Sequence, residues 1–146
     1  METILNKKEV DYTKEPMFFG EGLSLQRYDV QAHPFFYKAW KTQLSNYWRP
    51  EEVDVSRDAE QFDDLTQGEK DIFTKNLKYQ ILLDSVASRG MSQIVKHVSI
   101  PELEAAMSAW QFFETLHSYS YTYIIKNVYT DPTDVLDNIL NQPQIM

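Results

Sequence analysis

Glu114, His117 and Tyr121 follow one another at intervals of three and four residues in the stretch Trp110-Gln-Phe-Phe-Glu114-Thr-Leu-His117-Ser-Tyr-Ser-Tyr121. At about 100° per residue they fall on one narrow helical stripe with Leu103, Met107, Trp110 and Val128. A stripe of that kind faces a core, where a carboxylate is costly unless it is paired, protonated or bound to a metal. Glu-x-x-His sets a carboxylate and an imidazole one turn apart on one face, as di-metal sites in four-helix bundles do. Asp84 sits in the same way within the apolar stripe of Phe73 and Leu77 on a separate helical pattern. Oxygen and nitrogen donors suit iron or manganese, and carboxylate-rich helical sites suit metals that activate dioxygen. A phenol about 6 Å along the axis from His117 is placed to be oxidised by such a centre. Residue types alone leave a second reading open, in which His117 is a hydrogen-bonded core histidine and Tyr121 is packing.

Helices must position these groups, and their limits are written in the chain. Thr66-Gln-Gly-Glu69 is a capping box that opens a helix running to about Arg89, with Gly90 as its stop signal. Met91–Val98 reads as a further short helical piece or a connector. Ser99-Ile-Pro-Glu102 is a second capping box, with Pro101 in the first turn, and the helix it opens runs to about Tyr129. That helix is apolar on two sides, the mark of a central element packed by neighbours on both. An earlier helix begins near His33-Pro34 with Phe35, Phe36, Ala39, Trp40, Leu44 and Tyr47 on one face, and stops before Pro50. A short turn is expected at Arg57–Phe62, and another helix begins after Asp131-Pro132. Residues 1–30, broken by Pro16, Gly20 and Gly22, read as an extended arm. The expected fold is all-α: an arm at 1–30, then at 31–146 the first helices of a ferritin-like bundle with long central helices.

Composition excludes several functions. The 146 residues carry a net charge of -8, against a general nucleic-acid binder. There is no cysteine, which excludes disulfides, zinc–thiolate sites and thiol catalysis. No run is long and apolar enough to cross a membrane, and the N-terminus lacks an apolar signal core. A cytoplasmic protein is expected.

The sequence resembles the radical-generating small subunit of class I ribonucleotide reductase, of the type found in enterobacteria and T4-like phages. The likeness runs through Glu15-Pro-Met-Phe-Phe-Gly20, Arg27-Tyr-Asp29, Tyr47-Trp48-Arg-Pro-Glu-Glu-Val53, Asn76-Leu-Lys-Tyr-Gln80 and Leu83-Asp84-Ser85. It continues through Ile100-Pro-Glu-Leu-Glu104, Glu114-Thr-Leu-His117-Ser-x-Ser-Tyr121-Thr122, Asn127 and Asp131-Pro132. The resemblance implies that Asp84, Glu114 and His117 are ligands of one iron, with Glu114 bridging to a second. It implies that Tyr121 stores a stable radical made with dioxygen, and that Trp48 passes an electron. Trp110 matches a tryptophan packed near the metals; read without the resemblance, Trp48 is a core indole after a helix end. Tyr119 stands where the family commonly has Arg, and Phe113 where it commonly has Ser. Tyr119 falls away from the ligand stripe and is expected to change a helix contact rather than the site.

Family members are more than twice as long, and their second metal is held by a Glu and another Glu-x-x-His from later helices. Here Glu114-x-x-His117 is the only Glu-x-x-His. Three ligands make half of a di-iron carboxylate site, which needs about four carboxylates and two histidines. The expected partners are a complementing C-terminal small-subunit chain and the reductase large subunit, in a homo- or hetero-oligomer. Two alternatives are a ferritin-like oxidase formed by symmetric pairing of two half-sites, and a non-catalytic remnant.

Overall fold

The computed structural model describes residues 4–143. Its elements are helices α1 (Pro34–Ser45), α2 (Asp58–Asp63), α3 (Gln67–Val95), α4 (Pro101–Val128) and α5 (Pro132–Leu136), with 3-10 turns at Pro50–Glu52 and Ile139–Asn141. Among the described residues the only β-pairing is an isolated bridge between Phe18 and Val98, so the chain is all-α as expected. It divides into two compact units. One comprises the residues up to Tyr47 together with Ser88–Phe113; the other comprises Trp48–Ala87 and the residues from Glu114 onward.

In the first unit the N-terminal segment has no helix and is tied down by hydrogen bonds. Phe19 N–H donates to the His97 carbonyl (2.8 Å) and Ser99 N–H to the Met17 carbonyl (2.9 Å). Gly20 N–H donates to Ser99 Oγ at 2.7 Å. The core of this unit is Tyr12, Val98, Ile100, Leu103 and Met107, with Phe18, Phe36, Met91 and Val95 packed on it. Ile100 is fully buried, and a side chain of that size contributes about 1.5–3 kcal/mol over its exposed state. On α1, Phe36, Ala39 and Trp40 are half-buried, but Phe35, Leu44 and Tyr47 of the expected apolar face are exposed.

In the second unit α3 and α4 run antiparallel, since Thr74 bonds Tyr129 while Asp84 lies by His117 further along. Leu77, Ile125 and Val135 form the core, with Phe73, Ile81, Tyr121, Ile124 and Tyr129 against it. The capping box at the start of α3 forms: Glu69 accepts from the Thr66 N–H (2.9 Å) and hydroxyl (2.7 Å). Asp131 accepts from Thr133 N–H at 3.0 Å and caps α5.

Three expectations are corrected. α3 does not stop at Gly90 but continues to Val95, taking in most of the stretch read as a separate piece. Gly90 keeps ordinary helical φ, because no glycine here has positive φ, and a stop of the glycine type requires the left-handed conformation. The Ser99–Glu102 capping box does not form either. Both side chains are recruited by the N-terminal segment, Ser99 by Gly20 and Glu102 by His33, whose N–H donates to Glu102 Oε1 at 2.8 Å. Finally, Trp110, placed on the core stripe of α4, is 47% exposed.

Candidate metal centre

Glu114 and His117 are separated by three residues on α4, so their side chains emerge one turn apart on one face. Asp84, about two-thirds of the way along the antiparallel α3, brings a second carboxylate to the same place. His117 Nδ1 lies 3.9 Å from Asp84 Oδ2 and 3.9 Å from Glu114 Oε2. One donor atom from each of the three residues lies within 4.8 Å of the others. Donors held about 2.1 Å from one ion stand about 3.0 Å apart at right angles and about 4.2 Å apart when opposite. The three groups are therefore already near the separations a single divalent ion imposes.

The protein environment also fits a cation. Asp84 Oδ2 is buried with no hydrogen-bond partner, an acceptor that a metal would satisfy. Burial, and then the negative charge of Glu114, push the Asp84 carboxyl above the ordinary carboxylate range; His117 and a hydrogen bond from the Tyr121 side chain oppose that shift. Two carboxylates and an imidazole, with no sulfur, suit iron or manganese better than a soft metal.

Tyr121 lies one turn beyond His117 on α4, half-buried against the core of the second unit. Its hydroxyl is bound to Asp84, and its pKa is raised by burial first, then by the charge and hydrogen bond of Asp84 and the charge of Glu114. The phenol is thus kept protonated beside a carboxylate.

The structure brings together four of the residues singled out from sequence: Asp84, Glu114, His117 and Tyr121. Trp48 belongs to the same unit, half-buried in the link before the 3-10 turn at Pro50–Glu52. Residues 28–146 match the family described as ribonucleotide reductase, small chain. This chain belongs to that family. It is 48% identical to the ribonucleoside-diphosphate reductase subunit beta of Enterobacteria phage T4 over the whole of this chain and 38% of that protein. The ribonucleoside-diphosphate reductase 1 subunit beta of Escherichia coli O157:H7 is 48% identical over 98% of this chain and 38% of its own length. A solved ribonucleotide reductase R2 subunit from Clostridium botulinum superposes with a TM-score of 0.84 at 29% identity, covering 97% of this chain and 44% of that one. The dimanganese(II) NrdF of Streptococcus sanguinis, at 22% identity, shares the fold with a TM-score of 0.76 over 82% of this chain and 43% of that one. The ferritin-like helical architecture of the R2 subunits is the one seen here. The chain spans 38% of the length of these curated relatives.

One residue of the small-chain unit was missed in reading the sequence. Glu51 accepts a hydrogen bond from the Tyr119 hydroxyl across 68 residues of chain. The family difference at position 119 pointed to a changed helix contact, but no local pattern identified Glu51 as its partner.

Proposed function

We propose that this chain is the N-terminal portion of a ribonucleoside-diphosphate reductase small subunit, in which Asp84, Glu114 and His117 hold iron or manganese and Tyr121 is the phenol that becomes a radical. The observation that carries this reading is the convergence of the three ligand groups with Tyr121 on Asp84. A bound metal pair with dioxygen would supply the one-electron oxidising power that a phenol requires.

This chain's residues account for the rest. Tyr121 cannot lose an electron at low cost while it keeps its proton, so oxidation needs a base at the hydroxyl. Asp84 is that base by contact: its side chain is hydrogen-bonded to the Tyr121 hydroxyl and takes its proton when the electron leaves. Trp48 serves as the electron carrier between Tyr121 and the reductase large subunit, where the nucleotide is reduced in the cytoplasm. Among the described residues no helix is long and apolar enough to cross a membrane.

The remaining ligands come from sequence beyond these 146 residues, on a second chain or a continuation of this one. A stripe on α3 supports this. Ile72, Tyr79, Leu83 and Val86 recur at helical spacing and are 72%, 46%, 43% and 60% exposed, which is more apolar surface than a solvated helix face normally carries.

The test is assembly of the chain with the missing C-terminal portion of a close relative, followed by metal analysis and electron paramagnetic resonance. Two metals per assembled subunit and a tyrosyl signal that vanishes in Tyr121→Phe with metal retained are expected. An assembled subunit that binds no metal, or a signal that survives Tyr121→Phe, would overturn the reading.

A further inference from the structure

We propose that Tyr119 and Glu51 form a second oxidisable site, a phenol with its own proton acceptor, through which the oxidising equivalent on Tyr121 can leave the protein. Oxidising a phenol at neutral pH requires its proton to go to a nearby base as the electron departs. Tyr119, like Tyr121, has such a base in place, since its hydroxyl donates directly to Glu51 Oε1. The Tyr119 bond holds the Glu51 carboxyl below the usual carboxylate range, so the acceptor is ionised and ready.

Location supports the same role. Tyr119 and Tyr121 are two residues apart in one helix, which puts their α-carbons about 5.4 Å apart with side chains on opposite sides. Tyr121 is turned to the core, whereas Tyr119 is 49% exposed. An electron moving from Tyr119 to the Tyr121 oxyl therefore carries the radical from a phenol turned to the core to one that solvent-borne reductants reach wherever later helices leave this face of α4 open. The step balances. Tyr119 gives its electron to Tyr121 and its proton to Glu51, and Tyr121 recovers its proton from Asp84. Ascorbate, a one-electron donor, then reduces the Tyr119 oxyl, which takes its proton back from Glu51. The coupling to Tyr121 rests on the function proposed above; the Tyr119–Glu51 pair does not.

The pair is tested on the full 146-residue chain without metal, oxidised by flash-generated tris(bipyridine)ruthenium(III) at one fixed pH, with tyrosyl formation followed optically and by electron paramagnetic resonance. Tyr119→Phe should remove the fastest phase of radical formation, leaving the slower oxidation of other exposed tyrosines, and Glu51→Gln should slow that phase roughly ten-fold, less than a buried base contributes because water competes as acceptor. Tyr123→Phe should leave it unchanged. A Glu51→Gln or Tyr119→Phe chain that forms the radical at the original rate, with helix content intact by circular dichroism, would sink the pair. Coupling is tested in the metal-loaded, completed subunit, where Tyr119→Phe should slow the decay of the Tyr121 signal in ascorbate several-fold. An unchanged decay overturns the exit route while leaving the metal and Tyr121 assignments standing.

Discussion

His117 Nδ1 faces Asp84 Oδ2 across 3.9 Å, joining two long antiparallel helices at a point where neither has an apolar reason to carry a polar group. The contact is too long for a hydrogen bond, and Asp84 Oδ2 has no other partner. A cation bound between them would supply the missing interaction. Asp84→Asn should therefore weaken manganese(II) or iron(II) binding by more than about ten-fold. The same change should raise the stability of the metal-free chain by about 1 kcal/mol, because it removes a buried charge beside Glu114. Isothermal titration and urea denaturation check the two effects, and their opposite signs separate a ligand from a structural carboxylate.

The pH dependence of the metal-free chain follows from the same residue. The folded Asp84 carboxyl titrates above its unfolded value of 3.8, so the native state holds this proton more tightly than the unfolded state. Its contribution to stability is fully present below the unfolded value and is lost as pH rises through the raised folded value. Metal binding must show the reverse trend, strengthening as that proton leaves. Relative to Asp84→Asn, the urea midpoint should fall as acidic pH rises while metal affinity climbs; the comparison isolates Asp84 from carboxylates such as Asp11, Asp29 and Glu69, whose lowered folded values act in the opposite sense.

Tyr121→Phe removes the hydroxyl bound to Asp84 and little else, since the ring keeps its packing. The cost to stability should be within about 1.5 kcal/mol, that of one hydrogen bond. The Asp84 carboxyl should rise further, having lost one of the two interactions that hold it down. A carboxyl-region infrared or NMR titration reads that shift without any metal present.

Glu102 is fully buried, and its Oε1 accepts the His33 N–H at the start of α1. Glu102→Ala should cost about 1–3 kcal/mol, the price of orphaning a buried donor. Glu102→Gln keeps a carbonyl oxygen for His33 and should recover most of the loss. Denaturation midpoints of the two variants decide it.

The same glutamate marks where the sequence was legible and where it was not. Helical period alone placed Asp84, Glu114, His117 and Tyr121 on inward stripes, because a polar group among apolar ones at fixed spacing is a local signal. Thr66 and Glu69 kept the roles their spacing predicted, since nothing distant competes for them. Ser99 and Glu102 have the same spacing but bond Gly20 and His33, 79 and 69 residues away. The Tyr119–Glu51 bond was hidden for the same reason. Local rules describe a side chain correctly until a distant segment offers it a better partner.

Gly90 carries a further test of local rules. It lies inside α3 with helical geometry, and an added Cβ would meet nothing within 4 Å. Glycine there gives up more chain entropy on folding than alanine and contributes no packing in return. Gly90→Ala should stabilise the chain by about 0.5–1 kcal/mol, read as a higher urea midpoint with an unchanged slope. A loss of stability would mean that position 90 is in fact a break in the helix.

The exposed stripe of Ile72, Tyr79, Leu83 and Val86 on α3 predicts where the rest of a small subunit packs. These residues lie within a sector of about 60° at 100° per residue, while Leu77 and Asp84 lie about 100° or more away on the buried side. Replacing Leu83 and Val86 with Lys changes solvent-facing positions, so the isolated chain should shift by no more than about 0.5 kcal/mol per site. The same two charges, if buried under a later helix without partners, should abolish assembly with the C-terminal portion. Metal binding by Asp84, Glu114 and His117 in the isolated chain should persist, because Asp84 lies on the buried side of α3 and the other two groups are on α4. Size-exclusion chromatography of the mixture, beside a metal titration of the single chain, separates loss of the partner from loss of the site.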